Sequence, residues 1–416
     1  MSEENLLLTP VTVGGKTIPN RLAVGAMECC DADDEGNPSE STYARYGKMF
    51  DGGSGFIALE AITCQRESVS SIHQLSLTPE NAKPLEKFVS HLKSINKDNV
   101  FIFQLTHSGE VGHPALSKPV RVTKEPLYGF EYADLIGGDE VDVIMDQLVE
   151  GAKIAHAAGA DGVDIKLCTG YLGAQILRPF NKDCWKYGGP WENRRQFAFD
   201  LTERIVKEVN DPAFIVGSKI TMYEGFPGGQ GTAGSDTALM DLTETIDLVK
   251  GLEERGASYI IETLGAPRHT IELCKPFRDR AYLGYLHFYF QKVLRDALKP
   301  ETKVVGGSYS LYRDGSHKAF PAVKPENNTL KFWGNKNIRD GVVDIVSLGR
   351  QSLADPSVPR KMAEGRESEI KWCTGCDSCS LLLISQEAGG CAAYDREPAK
   401  KLAALRQGSQ PPDILG

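Results

Sequence analysis

Eight short, β-branched and almost continuously apolar runs recur along this chain, each followed by a longer stretch of helical periodicity. They are RLAVGAM (21–27), GFIALEA (55–61), VFIFQLT (100–106), GVDIKL (162–167), FIVGSKIT (214–221), SYIIETL (258–264), KVVGGS (303–308) and DIVSLG (344–349). A run that is apolar at successive positions reads as a strand buried on both faces, which is the situation of parallel strands covered by helices. The intervening segments support that reading. NAKPLEKFVSHLKSI (81–95) places Leu85, Phe88, Val89 and Leu92 on one stripe. VDVIMDQLVEGAKIAHAAG (141–159) ends at Gly159, a helix-terminating glycine. Segments 193–209 and 238–256 follow the same pattern. This alternation predicts an α/β fold, a (β/α)₈ TIM barrel with insertions. A doubly wound open sheet is the other architecture it permits.

Composition sets the class of partner. A net charge of −9 argues against nucleic acid, because binding a polyphosphate needs a basic face. Backbone N–H groups in glycine-rich loops can still hold one small phosphate. MSEENLLLTP has no basic region followed by an apolar core, and no apolar run approaches the roughly 18–20 residues that span a bilayer. The expectation is a cytoplasmic protein whose ten cysteines are thiols or metal ligands rather than disulfides. An oxygen-poor (anaerobic) cell suits that inventory, and homo-oligomerisation stays open.

The insertions mark where function is expected. Segments 107–137 and 309–340 are long for barrel connections, and long loops at the C-terminal mouth of a barrel carry active sites. GGQGTAG contains Gly229, Gly231 and Gly234 as a literal G-x-G-x-x-G. MYEGFP separates it from the preceding strand, so a loop over the mouth competes with a dinucleotide site. VVGGSYS (304–310) and SLGRQSLADP (347–356) close the seventh and eighth strands, where barrels bind phosphate. Gly306 and Gly307 would let the backbone approach an anion, and Arg350 would add a forked donor; ordinary turn glycines and a surface arginine are the alternative.

CTGCDSC (373–379) adds Cys373, Cys376 and Cys379 in a C-x₂-C-x₂-C array, with Cys391 after eleven intervening residues. Three close thiolates and one remote thiolate suit the corners of a [4Fe–4S] cubane. Structural zinc more often uses two separated C-x₂-C knuckles, and free thiols need no such spacing. Cys64, Cys168, Cys184 and Cys274 are scattered and read as structural. The chain therefore divides into a barrel over residues 1–365 and a cysteine-rich extension and tail over 366–416, with the tail from Gln407 draped or disordered.

Four segments resemble the Old Yellow Enzyme-type flavin oxidoreductases. They are IPNRLAVGAM (18–27), FQLTHSG (103–109), GYLGAQILRPFNKDCWKYGGPWENRRQF (170–197) and SLGRQSLADPSVPRKMAEG (347–365). With the cysteines, the chain is similar to the branch containing 2,4-dienoyl-CoA reductase and trimethylamine dehydrogenase. The resemblance implies FMN at the barrel mouth. Met27 and Ala61 would back its ring, with Ala26 beside them, and Gln104 would bond the pyrimidine edge. Lys219 stands where the family usually has arginine near flavin N1. Gly306, Gly307, Ser308, Gly349 and Arg350 would take the phosphate.

Tyr171 hangs at the rim after the fourth strand, where a phenol can give a proton to substrate and where the family places its proton donor. Lys166 and Thr169 occupy positions that carry a His/His or His/Asn pair in many relatives. His269 lies near the place of a further family histidine, as catalytic partner or loop residue. Glu28, Cys29 and Cys30 fall near the expected flavin N5 edge. The implied activity is reduction of an activated C=C bond in a small molecule (enoate, enone or enoyl thioester), with hydride from FMN N5. Amine dehydrogenation or demethylation, and a pure electron-transfer subunit, are the alternatives. The sequence as written ends at Gly416, so the resemblance implies electrons arriving through the cluster from a separate ferredoxin or flavoprotein, or directly from NAD(P)H.

Overall fold

A computed structural model describes residues 4–183, 186–316 and 323–408. Eight parallel strands close into one barrel, in the order β6-β7-β8-β1-β2-β3-β4-β5. They are β1 (Leu22–Val24), β2 (Phe56–Thr63), β3 (Val100–Thr106), β4 (Gly162–Leu167), β5 (Ile215–Thr221), β6 (Ala257–Thr263), β7 (Lys303–Gly306) and β8 (Ile345–Leu348). Pairing of β5 with β6 completes the ring and excludes the open doubly wound sheet. The outer layer includes α1 (Glu40–Asp51), α2 (Ala82–Ile95), α3 (Gly138–Ala157), α4 (Gln196–Val209), α5 (Thr243–Glu254), α6 (Gly284–Ala297), α7 (Leu330–Arg339) and α8 (Gly349–Ala354).

The interior follows from period-two alternation. Phe56, Val100, Ile102, Ile215, Tyr259, Ile261, Val305 and Ile345 form one buried cluster. Phe56 and Tyr259 meet edge to face at 5.2 Å, and the Tyr259 hydroxyl donates to the Val163 carbonyl at 3.0 Å. Glycine makes the room: a Cβ at Gly217 would stand 2.4 Å from the Tyr259 ring. An antiparallel hairpin, Val11–Val13 against Lys16–Ile18, adds Val11, Val13 and Ile18 to the same cluster. The barrel floor is thus closed by apolar contacts. Further along the same alternation the inward positions turn polar, at Gln104, Asp164 and Lys219, and this is the mouth.

The structure corrects several expectations. The helix predicted over 238–256 starts at Thr243, because Thr237–Met240 is a strand paired with Thr232–Gly234. Of the G-x-G-x-x-G glycines, Gly229 and Gly231 therefore lead into this hairpin and Gly234 ends its first strand, instead of forming a dinucleotide turn: a Cβ at Gly231 would lie 2.2 Å from the Met222 carbonyl oxygen. Segment 193–209 is divided into Trp191–Arg194 and α4. A third of the long 309–340 stretch is α7 itself. Gln407 continues a helix, Arg396–Gly408, while the last eight positions and Cys184 lie outside the described residues. Among the described residues no helix is long and apolar enough to cross a membrane.

Candidate active site

A cavity of about 180 Å³ opens at the C-terminal ends of the strands. Ala26, Met27, Lys219, Gly307, Ser308, Gly349 and Arg350 line it. The expected phosphate end has the right loose ends. Ser308 is held in the left-handed region at φ 72°, and its Oγ is buried with no hydrogen-bond partner among the described residues. Arg350 donates through Nη2 to the Pro276 carbonyl at 3.1 Å and leaves Nη1 buried and unpartnered. Orphaned donors of this kind carry a desolvation cost unless an acceptor arrives. Gly307 N–H is taken by Glu262 Oε2 at 3.2 Å, and the same carboxylate is held by His287 and Gln291 from α6. Gly306 packs on that helix instead of lining the cavity, since a Cβ there would meet Gln291 at 2.5 Å.

The other side of the mouth is polar. Gln104 Nε2 donates to Asp164 Oδ2 at 2.6 Å, leaving Asp164 Oδ1 buried without a partner. Burial pushes the Asp164 carboxyl up to about 6, against the pull of Gln104, Lys219 and Lys166. Lys219 and Lys166 are register partners on β5 and β4. Ala61, the register partner of Gln104, is buried beside them, and its carbonyl accepts from Gln74 at 3.0 Å. A register irregularity between Leu59 and Ala61 turns Glu60 outward to Arg45 of α1. Cavity, orphaned Ser308, Arg350 and Asp164 atoms, and polar rim together fit a flavin mononucleotide.

Tyr171 follows β4 and Gly170. Its hydroxyl donates to Glu28 Oε1 at 2.7 Å and lies 3.1 Å from Ser70 Oγ. Lys166 Nζ donates to the same Glu28 oxygen at 2.9 Å and sits 3.2 Å from the centre of the Tyr171 ring. Thr169 stands in the left-handed region at φ 55°, its N–H donating to Thr221 Oγ1 at 3.2 Å. Burial, then the Glu28 charge, raises the Tyr171 phenol well above its ordinary value. Burial raises Glu28 too, but Lys166, Tyr171 and Ser70 outweigh it and hold that carboxyl below its usual range. His107 is pushed down to about 3 by burial, and its Nδ1 accepts the Gly109 N–H at 3.1 Å.

His269 is placed apart from this group. It stacks on Tyr128 at 5.1 Å and lies against Phe226 at 4.5 Å. Arg178 ties the nest together: its Nη2 donates to the Tyr128 hydroxyl at 2.8 Å, and it pairs bidentately with Glu224, both bonds 2.7 Å. Burial and Arg178 lower the His269 imidazole. The sequence reading missed Ser70, Tyr128, Arg178 and Glu224. Arg178 carried one signal, an arginine inside the otherwise apolar ILRPF.

The cysteine segment packs against the mouth. Ser380 lines the cavity, Gly389 N–H donates to the Cys29 carbonyl at 2.6 Å, and Cys373 N–H donates to Gln351 Oε1 at 2.8 Å. Cys373 and Cys376 both act electrostatically on Cys391. Burial raises the Cys379 thiol to about 11, with Arg350 opposing and Cys373 adding. Four partly exposed or half-buried thiols are a suitable iron–sulfur donor set, yet among the described residues no three His, Cys, Asp or Glu side chains are gathered at metal-holding distances.

The chain belongs to the NADH:flavin oxidoreductase / NADH oxidase family, whose model matches residues 6–270. It is 26% identical over 373 residues to NADH oxidase of Thermoanaerobacter brockii, covering 88% of this chain and 52% of that one. It is 24% identical over 432 residues to dimethylamine dehydrogenase of Hyphomicrobium sp. (strain x), covering 98% and 52%. The fold matches 2-naphthoyl-CoA reductase in complex with 2-naphthoyl-CoA with a TM-score of 0.78 at 20% identity, over 95% of this chain and 58% of that one. The chain thus spans about half the length of these relatives.

Proposed function

We propose that this protein reduces an activated C=C bond of an enoate, enone or enoyl thioester, with Tyr171 as proton donor. The observation that carries the reading is the half-buried Tyr171 phenol, held past the end of β4 by Glu28, the chain neighbour of Met27, which lines the cavity. FMN bound there supplies hydride at N5. Ser308, Gly349 and Arg350 hold its phosphate, with Gly307 shaping the loop. Gln104 and Lys219 hold its pyrimidine edge, Lys219 as a point charge rather than a planar fork. Ala26, Met27 and Ala61 shape the wall behind the ring. Thr169 fixes the turn that delivers Tyr171. His269, stacked in the Tyr128–Phe226 nest, shapes the substrate side of the cleft, where partial burial and the Arg178 charge lower its imidazole.

Cys373, Cys376, Cys379 and Cys391 are proposed to hold a [4Fe–4S] cluster through which a ferredoxin or flavoprotein donor delivers electrons. Support comes from the donor set and from Arg350, which faces both the phosphate end of the cavity and Cys379. A cytoplasmic location and a possible homo-oligomer belong to the same reading.

Stopped-flow mixing tests it. Anaerobic, FMN-loaded, dithionite-reduced protein should be reoxidised by 2-cyclohexenone, cinnamate or crotonyl-CoA, whereas oxidised protein should not be bleached by dimethylamine. Bleaching by the amine with no response to the alkenes would establish amine dehydrogenation instead. Rapid reduction by NADH or NADPH alone would remove the need for a donor protein.

A further inference from the structure

Tyr171 does not stand alone at the mouth. Glu28 comes one residue after Met27, and its carboxylate collects three donors from three parts of the barrel. Oε1 receives Lys166 Nζ from β4 and the Tyr171 hydroxyl from the loop beyond it; Oε2 receives Ser70 Oγ at 3.2 Å from the loop after β2. Only 12% of the Glu28 side chain and 6% of the Lys166 side chain remain exposed. The carboxylate cannot drift, because the chain around it is tied down. Cys29 N–H donates to Glu60 Oε2 at 2.9 Å, and Arg45 grips Asp31 through two bonds of 2.7 Å. Ser70 N–H donates to Gln74 Oε1 at 2.7 Å, and Gln74 Nε2 donates to the Ala61 carbonyl.

A phenol carries one proton, and here that proton points at Glu28. The charges around it pull in opposite directions. A carboxylate 2.7 Å from the oxygen opposes phenolate, while an ammonium over the ring favours it. The groups facing the phenol are Glu28, Ser70, Lys166 and Cys168.

We propose that Glu28 is a positioning residue for Tyr171: it aims the phenol's proton and, paired with Lys166, sets how readily that proton leaves. This deepens the reading in which Tyr171 is the acid. In that step the hydroxyl turns from Glu28 to the substrate, the Tyr171 O–H bond breaks, a C–H bond forms at the substrate α-carbon, and the phenolate is left beside the Lys166 ammonium. The β-carbon would take its hydride from bound, reduced FMN, which would end oxidised, and a proton from solvent water, leaving hydroxide, would restore the phenol.

The test reads the phenol itself, so it stands apart from turnover of any substrate. The FMN-loaded protein is labelled with ¹³Cζ-tyrosine. Its signal for Tyr171, one of fourteen tyrosines, is identified by its loss in Tyr171→Phe. In the unsubstituted protein that signal should stay phenol-like to the highest pH at which the fold persists. In Glu28→Gln the phenolate shift should set in lower by on the order of one pH unit or more, because a neighbouring anion has gone while the cation remains. Glu28→Asp keeps the charge but withdraws it by one methylene, and should give a smaller shift in the same direction. That variant carries the test if the glutamine variant does not hold its fold. Titration curves for Tyr171 that superimpose across the folded variants would overturn the proposal.

Discussion

The Tyr171 hydroxyl makes its shortest contact with a carboxylate rather than with empty cavity, and that contact governs what single substitutions should do. Tyr171→Phe removes the proton but little volume, so FMN should stay bound while reoxidation by an enone slows roughly 10²-fold or more in single-turnover mixing. Glu28 gives a pH prediction. Its folded-state carboxyl lies below the ordinary value of 4.5. Its stabilisation is therefore complete above that value and is lost as pH falls through the folded-state one. The melting-temperature gap between the unsubstituted protein and Glu28→Gln should accordingly be widest near neutrality and shrink on acidification below 4.5. Arg350→Ala should weaken FMN binding roughly tenfold to a hundredfold, read by flavin fluorescence on titration of stripped protein. Tyr171 and Arg350 were legible as mouth residues because each sits just past the end of an apolar run, whereas the roles expected of Lys166, Lys219 and Ser308 came from the family resemblance. The partnership of Glu28 with Lys166 was not legible, since 138 residues separate them and only barrel closure brings them together.

Among the elements, the strands were readable because being buried on both faces writes itself as an unbroken apolar run. All eight predicted runs became strands, though β1 and β7 are shorter than their runs because glycine follows each. The helices were less sharply bounded. Periodicity alone could not see that Thr237–Met240 pairs with Thr232–Gly234 before α5 begins, because pairing partners are a tertiary fact. The N-terminal hairpin was also missed, being only three residues to a strand with Gly14 and Gly15 at its turn. Glycines inside strands are a testable element-scale feature. A Cβ at Gly162 of β4 would lie 2.0 Å from the Ile215 carbonyl oxygen on β5. Gly162→Ala should therefore cost about 1–3 kcal/mol or more, seen as a lower urea midpoint by circular dichroism.

For the whole molecule, the barrel and its mouth were legible, and the relation of the cysteine segment to them was not. Spacing suggests a cluster but says nothing of which wall it leans on. The structure leans it on the loops that follow β2 and β6: Gln386 accepts the Ile72 N–H at 2.7 Å, and Lys275 meets Asp377 at 2.6 Å. Cys373→Ser should lower iron content in anaerobically prepared protein, measured by elemental analysis, and leave the far-ultraviolet spectrum of the barrel unchanged.

The bond from Gly389 to the Cys29 carbonyl has a practical corollary. Only one residue lies between Gly389 and Cys391, and Cys29 lies two past Met27, so a single peptide contact would latch the proposed iron–sulfur end of the molecule to the wall proposed to back the dye. Oxygen that corrodes the iron site should slacken that latch. Yellow colour should then leak from aerated protein in step with its loss of brown, and protecting one pigment should preserve the other.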